Sequence, residues 1–219
     1  MSQTIVTAGV VLHRRPYGEY DTVATLYTES LGKLPARFIG VRRPRGKLKA
    51  LCEPMVHAEY RLYLRPGGEW ATATGGRIVD SYPAVRADFE RTCQGLRLCE
   101  LLARVAPDRS PNPSKFALIT ESLSTLGATG SPWIVSAFGA RLLELAGFGL
   151  RRARPQAVSP ALWEAIHREE LSVLAARPDE PAQRGRVEGR LEHAFEAPIE
   201  RPLATSIFFD SLRKMETAS

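Results

Sequence analysis

Cationic side chains are concentrated in one short stretch of the sequence. The segment "GVRRPRGKLKAL", which begins at Gly40, carries five cations within residues 42–49 and no carboxylate. The five are Arg42, Arg43, Arg45, Lys47 and Lys49. This density of positive charge suits a chain of phosphates, an anionic lipid surface or an acidic protein segment. The segment therefore predicts a polyanionic partner.

The excess charge of the whole chain comes from this neighbourhood. The 219 residues include 30 Lys and Arg against 24 Asp and Glu, a net charge of +6. Residues 30–52 add Lys33 and Arg37 to the five cations and contain no acid, so the remainder of the chain sums to −1. A solubilising loop is the alternative interpretation. If about five to seven cations each contact a phosphate, log affinity for single strands should fall with log salt with a slope of about −3.5 to −5.

Two aromatic residues are candidates for base stacking beside these cations. Phe38 lies just before the basic segment, and Tyr63 alternates onto the same polar strand face as Arg61 and Arg65. Stacking of a base on an aromatic ring contributes about 1 to 3 kcal/mol and tolerates any base. Packing in the core or at its rim is the alternative for both rings. We include Arg61 and Tyr63 with Lys33, Arg37 and the five cations as candidate nucleic-acid-binding residues.

Catalytic and metal-binding motifs are not visible in the sequence. A phosphate-binding Walker loop needs Gly-Lys followed by Ser or Thr, whereas both Gly-Lys pairs here precede leucine, at Leu34 and Leu48. The four histidines are scattered, and no two of the three cysteines have Cys-x-x-Cys spacing. We therefore expect no enzymatic activity, no cofactor and no metal site.

The elements that must position the cations change character near residue 80. Up to there the apolar period is two, most clearly from Met55 to Arg65, and "RPGG" at residues 65–68 predicts a hairpin turn. A bulge is expected at Gly75 and Gly76. Five short antiparallel strands in about 80 residues predict a small closed barrel, because closure removes exposed sheet edges.

After residue 80 the apolar period becomes that of helices. One long helix is predicted with Val85, Phe89, Cys93, Leu96 and Leu102 on its buried side. The next is expected to begin at Asn112 and end at Gly127, and a last helix is expected around Leu203, Ile207 and Leu212. The fold class is thus α+β, with a nucleic-acid-binding barrel in residues 1–80 and an all-helical domain in residues 81–219.

Short motifs follow one another in a definite order along the chain. The first are a "YGE-x-D" turn, a "T-x-x-x-GK" hairpin, a "GxRRP" segment and an "L-x-P" pair, and the series continues through the helical half to the closing "RPLATSIFFDSL". The N-terminal positions of these motifs are Tyr17, Gly18, Glu19, Asp21, Thr28, Gly32, Lys33, Gly40, Arg42, Arg43, Pro44, Leu51 and Pro54. This order of motifs closely resembles that of RecO-type recombination mediators.

The resemblance implies an N-terminal OB-fold barrel and a non-enzymatic role in recombinational DNA repair. Members of this family bind single- and double-stranded DNA, anneal strands coated by single-strand-binding protein, and with RecR help RecA to load. We expect this chain to be a monomer on its own. An OB-fold protein that binds RNA or tRNA remains the alternative, and a protein that binds anionic membranes is a second rival.

The sequence departs from the family pattern after the helix "LLELAGFGL". Many members carry a four-cysteine zinc site there, whereas no cysteine follows Cys99 in this chain. A zinc site is therefore not expected, and packing around Trp163 and Phe195 should replace its rigidity. By family resemblance, the acidic tail of single-strand-binding protein is a partner, and Arg141, Arg151 and Arg152 are candidates to receive it. Stabilisation of a helix C-terminus is the alternative role of these arginines.

Targeting signals are not evident. The N-terminal stretch has no basic region before its apolar residues, and no apolar run reaches 18 residues. We expect a cytoplasmic protein that associates with the nucleoid and does not bind membranes.

Overall fold

The computed structural model describes residues 2–196 and Thr205. Within these residues five strands precede seven helices. The strands are β1 (Gln3–Tyr17), β2 (Asp21–Thr28), β3 (Gly32–Phe38), β4 (His57–Leu64) and β5 (Ala71–Asp80). The helices are α1 (Pro83–Arg86), α2 (Phe89–Val105), α3 (Pro113–Thr129), α4 (Trp133–Leu145), α5 (Pro160–Arg168), α6 (Leu171–Ala175) and α7 (Pro181–Glu196). The α+β class is confirmed, while the helix expected around Leu203, Ile207 and Leu212 lies outside the described residues.

The strands form a closed barrel in the order β1-β2-β3-β5-β4. The alternation predicted for β4 is confirmed, since Ala58, Tyr60 and Leu62 are fully buried. The prediction of a wholly antiparallel sheet is wrong at one seam. There β3 and β5 run parallel through only three residue pairs, at residues 36–38 and 71–73. The reason is that residues 39–56 cross the end of the barrel and β4 pairs with β1, which leaves β5 running in the direction of β3.

The hairpin between β4 and β5 follows its sequence closely. The N–H of Gly68 donates to the carbonyl of Arg65 at 3.0 Å, which closes the predicted turn around Pro66 and Gly67. The β4–β5 register shifts where Leu62 pairs with Ala73, so the irregularity lies at residue 74, next to the predicted glycine pair.

Side-chain caps define where the helices begin. The carboxylate of Asp88 accepts from the N–H of Arg91 at 2.8 Å, and the side chain of Asn112 accepts from the N–H of Lys115 at 3.0 Å. The Asp88 cap starts α2 separately from α1, so the prediction of one long helix through Val85 and Phe89 is wrong. Phe89 was expected on the buried side, but it is 64% exposed. The helix that starts after Asn112 runs past the predicted end at Gly127 to Thr129.

Two hydrophobic cores hold the chain together. One fills the barrel and includes Phe38 and Tyr60, and the other lies among the helices. The helical core also takes in Val10, Leu12 and Tyr27 from the outer face of the barrel, so the helices and the barrel pack directly on one another. No helix in the described part of the chain is both long and apolar enough to cross a membrane.

Candidate nucleic-acid interface

The segment between β3 and β4 forms a series of turns across one end of the barrel. Two successive turns are closed by hydrogen bonds. The N–H of Arg43 donates to the carbonyl of Gly40 at 3.1 Å, and the N–H of Gly46 donates to the carbonyl of Arg43 at 3.0 Å. A side chain at Gly46 has no room, because its Cβ would lie 2.5 Å from the carbonyl oxygen of Val41. Val41 and Leu51 are buried in the barrel core, so both ends of the segment are anchored.

The basic loop, residues 42–49, turns all of its cations toward solvent. Its five charged side chains belong to exposed residues. Among the described residues no carboxylate forms a salt bridge with any of them. The five are Arg42, Arg43, Arg45, Lys47 and Lys49. The loop therefore presents five solvent-exposed cations without a salt-bridge partner among the described residues.

The hairpin between β1 and β2 supports the start of the basic loop. The backbone N–H of Arg42 donates to the carbonyl of Tyr20 at 2.9 Å, and its guanidinium donates to Gly18 at 3.3 Å. Asp21 accepts from the N–H of Gly40 and from Nε of Arg37, each at 2.7 Å. These two donors, Gly40 foremost, hold the pKa of Asp21 below its usual range. The Asp21 carboxylate thus fixes both Arg37 and the backbone that leads into the loop.

An aromatic–arginine cluster borders the basic loop. The rings of Tyr17 and Trp70 pack edge to face with centroids 4.9 Å apart. Three guanidinium groups lie over the rings: Arg15 on Trp70 at 5.7 Å, Arg37 on Tyr17 at 5.2 Å and Arg43 on Tyr20 at 4.8 Å. Such cation–π pairs keep both the charges and the rings at the surface. We use the name aromatic–arginine cluster for Arg15, Tyr17, Tyr20, Arg37, Arg43 and Trp70.

The rings of this cluster were not among the candidates drawn from the sequence. Tyr17 and Tyr20 flank the first hairpin turn, and Trp70 follows the "RPGG" turn. They converge because the β3–β5 pairing, which closes the barrel, places the start of β5 beside β3, and β3 in turn pairs with β2. The only sequence signal was the presence of aromatic residues beside turns in a β-rich region. An open cleft of about 560 Å³ joins the cluster to the basic loop, with Tyr17 and Lys47 both in its wall.

The two aromatic candidates from the sequence have different positions. Phe38 is completely buried and packs edge to face on Tyr60 in the barrel core, so it offers no surface for a base. Tyr63 is half-buried on the outer face, opposite Thr72, and Thr72 lies opposite Arg37 on its other side. Two strand spacings, about 10 Å, therefore separate Tyr63 from the row of Arg37.

Two of the predicted cations lie apart from the basic loop. Arg61 lines a small cleft with Glu59 and Arg77, and is paired with Val6 and Gly75 across the sheet. Lys33 is at the opposite end of β3 from the loop. Its ammonium donates to the carbonyl of Ala103 at 2.8 Å and pairs with Asp108 at 3.2 Å, so it joins the barrel to the helical domain.

The three arginines predicted to receive a partner's tail are partly used within the helical domain. Arg141 donates to the carbonyls of Ile166 at 2.9 Å, and also to Ala165 and Glu169 at the end of α5; burial lowers its pKa. Arg151 pairs with Glu164 at 3.3 Å. Arg152 is exposed in the turn at Leu150–Arg152. Arg141 therefore binds carbonyl groups at the C-terminal end of α5, whereas the alternative role concerned the end of α4, which these arginines flank in sequence.

Metal-ligating residues do not gather in the described residues, where no group of three or more His, Cys, Asp or Glu has the spacing to hold an ion. The region that follows α4 is instead packed by aromatic and aliphatic side chains. Trp163 and Phe195 are both buried, and the indole N–H of Trp163 donates to the carbonyl of Arg151 at 2.9 Å.

Two models of known protein domains match the sequence. The model of the recombination protein O N-terminal domain matches residues 1–82, and that of the recombination protein O C-terminal domain matches residues 86–154. The chain belongs to the RecO family. This RecO-type chain therefore has its barrel in the N-terminal match and α2 to α4 in the C-terminal match.

Relatives of the RecO-type chain carry the name DNA repair protein RecO. The chain is 33% identical to the protein of Heliobacterium modesticaldum over 139 residues, and this aligned region covers 64% of the chain and 50% of the relative. It is 32% identical to the protein of Salinibacter ruber over 120 residues, which make up 46% of that protein. It is 28% identical to the protein of Bacillus subtilis over 128 residues, which make up 49% of that protein. The chain thus spans about half the length of the relatives that it matches.

Proposed function

We propose that this protein binds DNA with the end of its barrel and acts as a recombination mediator in DNA repair. The observation that carries this proposal is an open cleft that the basic loop shares with one part of the aromatic–arginine cluster, namely Tyr17, Tyr20 and Arg37. Cations alone attract any polyanion. Cations beside exposed rings suit a single strand of nucleic acid, whose phosphates and bases need different contacts.

Physical principles assign a separate task to each half of this surface. The cations of the basic loop displace counterions from the phosphate backbone, which supplies affinity without sequence preference. Tyr17, Tyr20 and Trp70 supply faces and edges on which unpaired bases rest. Neither contact reads a base edge, so binding should be tolerant of sequence. Double-stranded DNA would engage the cations alone.

Family membership supports a role in which the bound strand is handed on rather than changed. In this role the protein anneals complementary strands coated by single-strand-binding protein, and with RecR it promotes loading of RecA. Annealing brings two phosphate backbones together, and the basic loop lowers the repulsion between them. The protein would act as a monomer in the cytoplasm, at the nucleoid.

Strand annealing by a charge-reversal variant tests the proposal. Arg42, Arg43 and Lys47 are changed together to Glu, and annealing of complementary oligonucleotides is followed by fluorescence transfer. We expect a loss of most of the annealing rate, because three attractive contacts with phosphate become repulsive. Competition by RNA of the same sequence belongs in the same experiment. Equal annealing by the variant, or a clear preference for RNA, would contradict a DNA mediator.

The acidic tail of single-strand-binding protein is proposed to dock beside the end of α4. Arg152 is exposed there, and Leu145 and Phe148 are 37% and 44% exposed, so charge and apolar surface lie near one another. Glu164 already pairs with the guanidinium of Arg151, which limits the attraction, and Glu144 accepts from the backbone N–H of Arg151. Changing Arg151 and Arg152 to Glu should weaken binding of a synthetic acidic tail peptide. Unchanged affinity for the peptide would remove this docking site.

A further inference from the structure

The weakest seam of the barrel is completed by the helical domain. Between β3 and β5 only three residue pairs form, and β3 extends four residues beyond the first of them. Beside that extension Asp108, from the loop between α2 and α3, forms a parallel bridge with Lys33. The α2–α3 loop therefore takes the place that a longer β5 would fill.

Arg109 connects the two sides of this seam. Its backbone N–H donates to the carbonyl of Lys33 at 2.8 Å on β3. Its guanidinium donates to the carbonyls of Gly68 at 3.0 Å and Glu69 at 2.9 Å, in the hairpin that leads into β5. The residue has a φ of +52°, a left-handed conformation that is uncommon outside Gly, Asn and Asp. Arg109, which lies in the loop between α2 and α3, thus contacts both β3 and the hairpin that precedes β5.

The position of Arg109 is fixed by close packing around it. A Cβ on Gly32 would lie 2.5 Å from the backbone carbon of Ser110, so the α2–α3 loop touches the β2–β3 turn directly. The side chain of Lys33 binds the carbonyl of Ala103 in the last turn of α2 and the carboxylate of Asp108 in the loop itself. The loop cannot shift without disturbing these contacts, which makes it a rigid support for the hairpin.

The hairpin that Arg109 grips carries a ring of the aromatic–arginine cluster. Trp70 follows Glu69 directly, and its ring meets both Tyr17 and Arg15. We propose that Arg109 is a positioning residue, which orients Trp70 for base stacking through the two hydrogen bonds to the hairpin. The inference rests on the proposed DNA-binding function and adds a residue from outside the barrel to its machinery.

A double-mutant cycle between Arg109 and Trp70 tests the inference. Affinity for a fluorescent single-stranded oligonucleotide is measured for Arg109→Ala, Trp70→Ala and the double variant. Loss of one stacked base corresponds to about a 5- to 150-fold weaker affinity in Trp70→Ala. We expect Arg109→Ala to lose a smaller factor, and the double variant to bind no more weakly than Trp70→Ala alone, because both changes remove the same contact.

The variant Arg109→Lys separates positioning from direct contact with phosphate. Lysine keeps the charge but lacks the planar fork that reaches two carbonyls. If Arg109 positions Trp70, lysine should not restore the affinity for the oligonucleotide. The NMR signal of the Trp70 indole N–H should then shift in both Arg109→Ala and Arg109→Lys, and the salt dependence of binding should stay that of the wild type. Full rescue by lysine, or a salt slope reduced by about 0.7 in Arg109→Ala, would show a phosphate contact and overturn the inference.

The outcomes also distinguish the inference from the proposed function. If Trp70→Ala binds DNA normally while the basic-loop variant does not, the role of Arg109 is refuted and the DNA-binding proposal stands. If both variants bind as the wild type does, the proposed function itself fails. Urea unfolding of each variant shows whether the fold is intact, and Arg109→Lys provides the milder change if Arg109→Ala does not fold.

Discussion

Two arginine-rich regions of the molecule use the same side chain in different ways. In the helical domain several arginines are paired with carboxylates: Arg177 binds Glu169 at 2.8 Å, and Arg184 binds Asp179 at 2.9 Å and Glu188 at 3.3 Å. In the basic loop none of the five cations forms a salt bridge with a carboxylate of the described residues. The two kinds of region cannot be told apart by composition, because composition counts charges without showing which of them are paired.

The difference teaches that pairing, rather than the number of charges, distinguishes the proposed DNA-binding surface from the arginines of the helical domain. An exposed ion pair contributes little to stability, about 0 to 1 kcal/mol. Because its two charges largely cancel, it also attracts a charged partner only weakly. A cluster of unpaired cations has a strong positive electrostatic potential, and its charges repel one another when no polyanion is bound. The basic loop tolerates this repulsion because Val41 and Leu51 anchor its ends and Asp21 holds its start.

The largest expected effect comes from neutralising the basic loop. Changing Arg42, Arg43 and Lys47 to Ala should make the slope of log affinity against log salt shallower by about 2, because three of five counterion-releasing contacts are lost. At 50 mM salt the affinity for a single strand should fall on the order of 100-fold. Fluorescence anisotropy titrations at several salt concentrations measure both quantities.

A matched variant in the helical domain serves as the control. Changing Arg168, Arg177 and Arg184 to Ala removes the same total charge from side chains that already have carboxylate partners. Its salt slope should equal that of the wild type. A similar loss of slope in both variants would mean that net charge, not the loop, attracts DNA, and the contrast between the two regions would be lost.

An intermediate effect is expected from Asp21→Asn. The variant loses the charge that binds Arg37 and the N–H of Gly40, so the free energy of unfolding should fall by about 1 to 3 kcal/mol at pH 7. Because the pKa of Asp21 is lower in the folded state, its stabilisation is complete above the unfolded pKa of about 4 and is lost as the pH falls through the folded value. Urea unfolding at pH 7 and pH 3 should therefore show a smaller pH dependence in the variant; an unchanged dependence would argue against the role of Asp21.

The smallest effects come from two glycine substitutions that leave every charge in place. Gly46→Ala puts a methyl group 2.5 Å from a carbonyl oxygen, so it should distort the basic loop and weaken DNA binding several-fold. Gly185→Ala has open space in α7 and should stabilise the fold by about 0.5 to 1 kcal/mol without affecting binding. Normal DNA affinity in Gly46→Ala would show that the shape of the loop is unimportant.

Local patterns predicted much of this molecule. The alternation in β4, the turn at residues 65–68 and the helix start at Asn112 each depend on neighbouring residues, and each is found as expected. The exposure of the basic loop follows from its charge. Phe89 was misplaced because a periodic pattern was extended across Asp88, although an Asp three residues before the bonded N–H is a cap signal in its own right.

Contacts between distant segments could not be predicted in the same way. Lys33 is chemically equivalent to the loop cations, and only the fold shows that Asp108, far along the sequence, neutralises it. Trp70 and Tyr17 meet because the barrel closes, and closure includes a parallel seam that the hairpin pattern did not suggest. The sequence therefore indicated which residue types would matter, while their neighbours depended on long-range topology.

The contact between the α2–α3 loop and the barrel has a practical consequence for dissecting the protein. A fragment ending at residue 82, where the N-terminal family match ends, would uncover Tyr27 and leave Lys33 without its acceptors. Its β3 and β5 would be held by three residue pairs alone. We therefore expect the barrel and the helices to unfold together, even though the N-terminal and C-terminal domain models meet between residues 82 and 86. A truncated barrel should be less stable than the barrel of the intact chain.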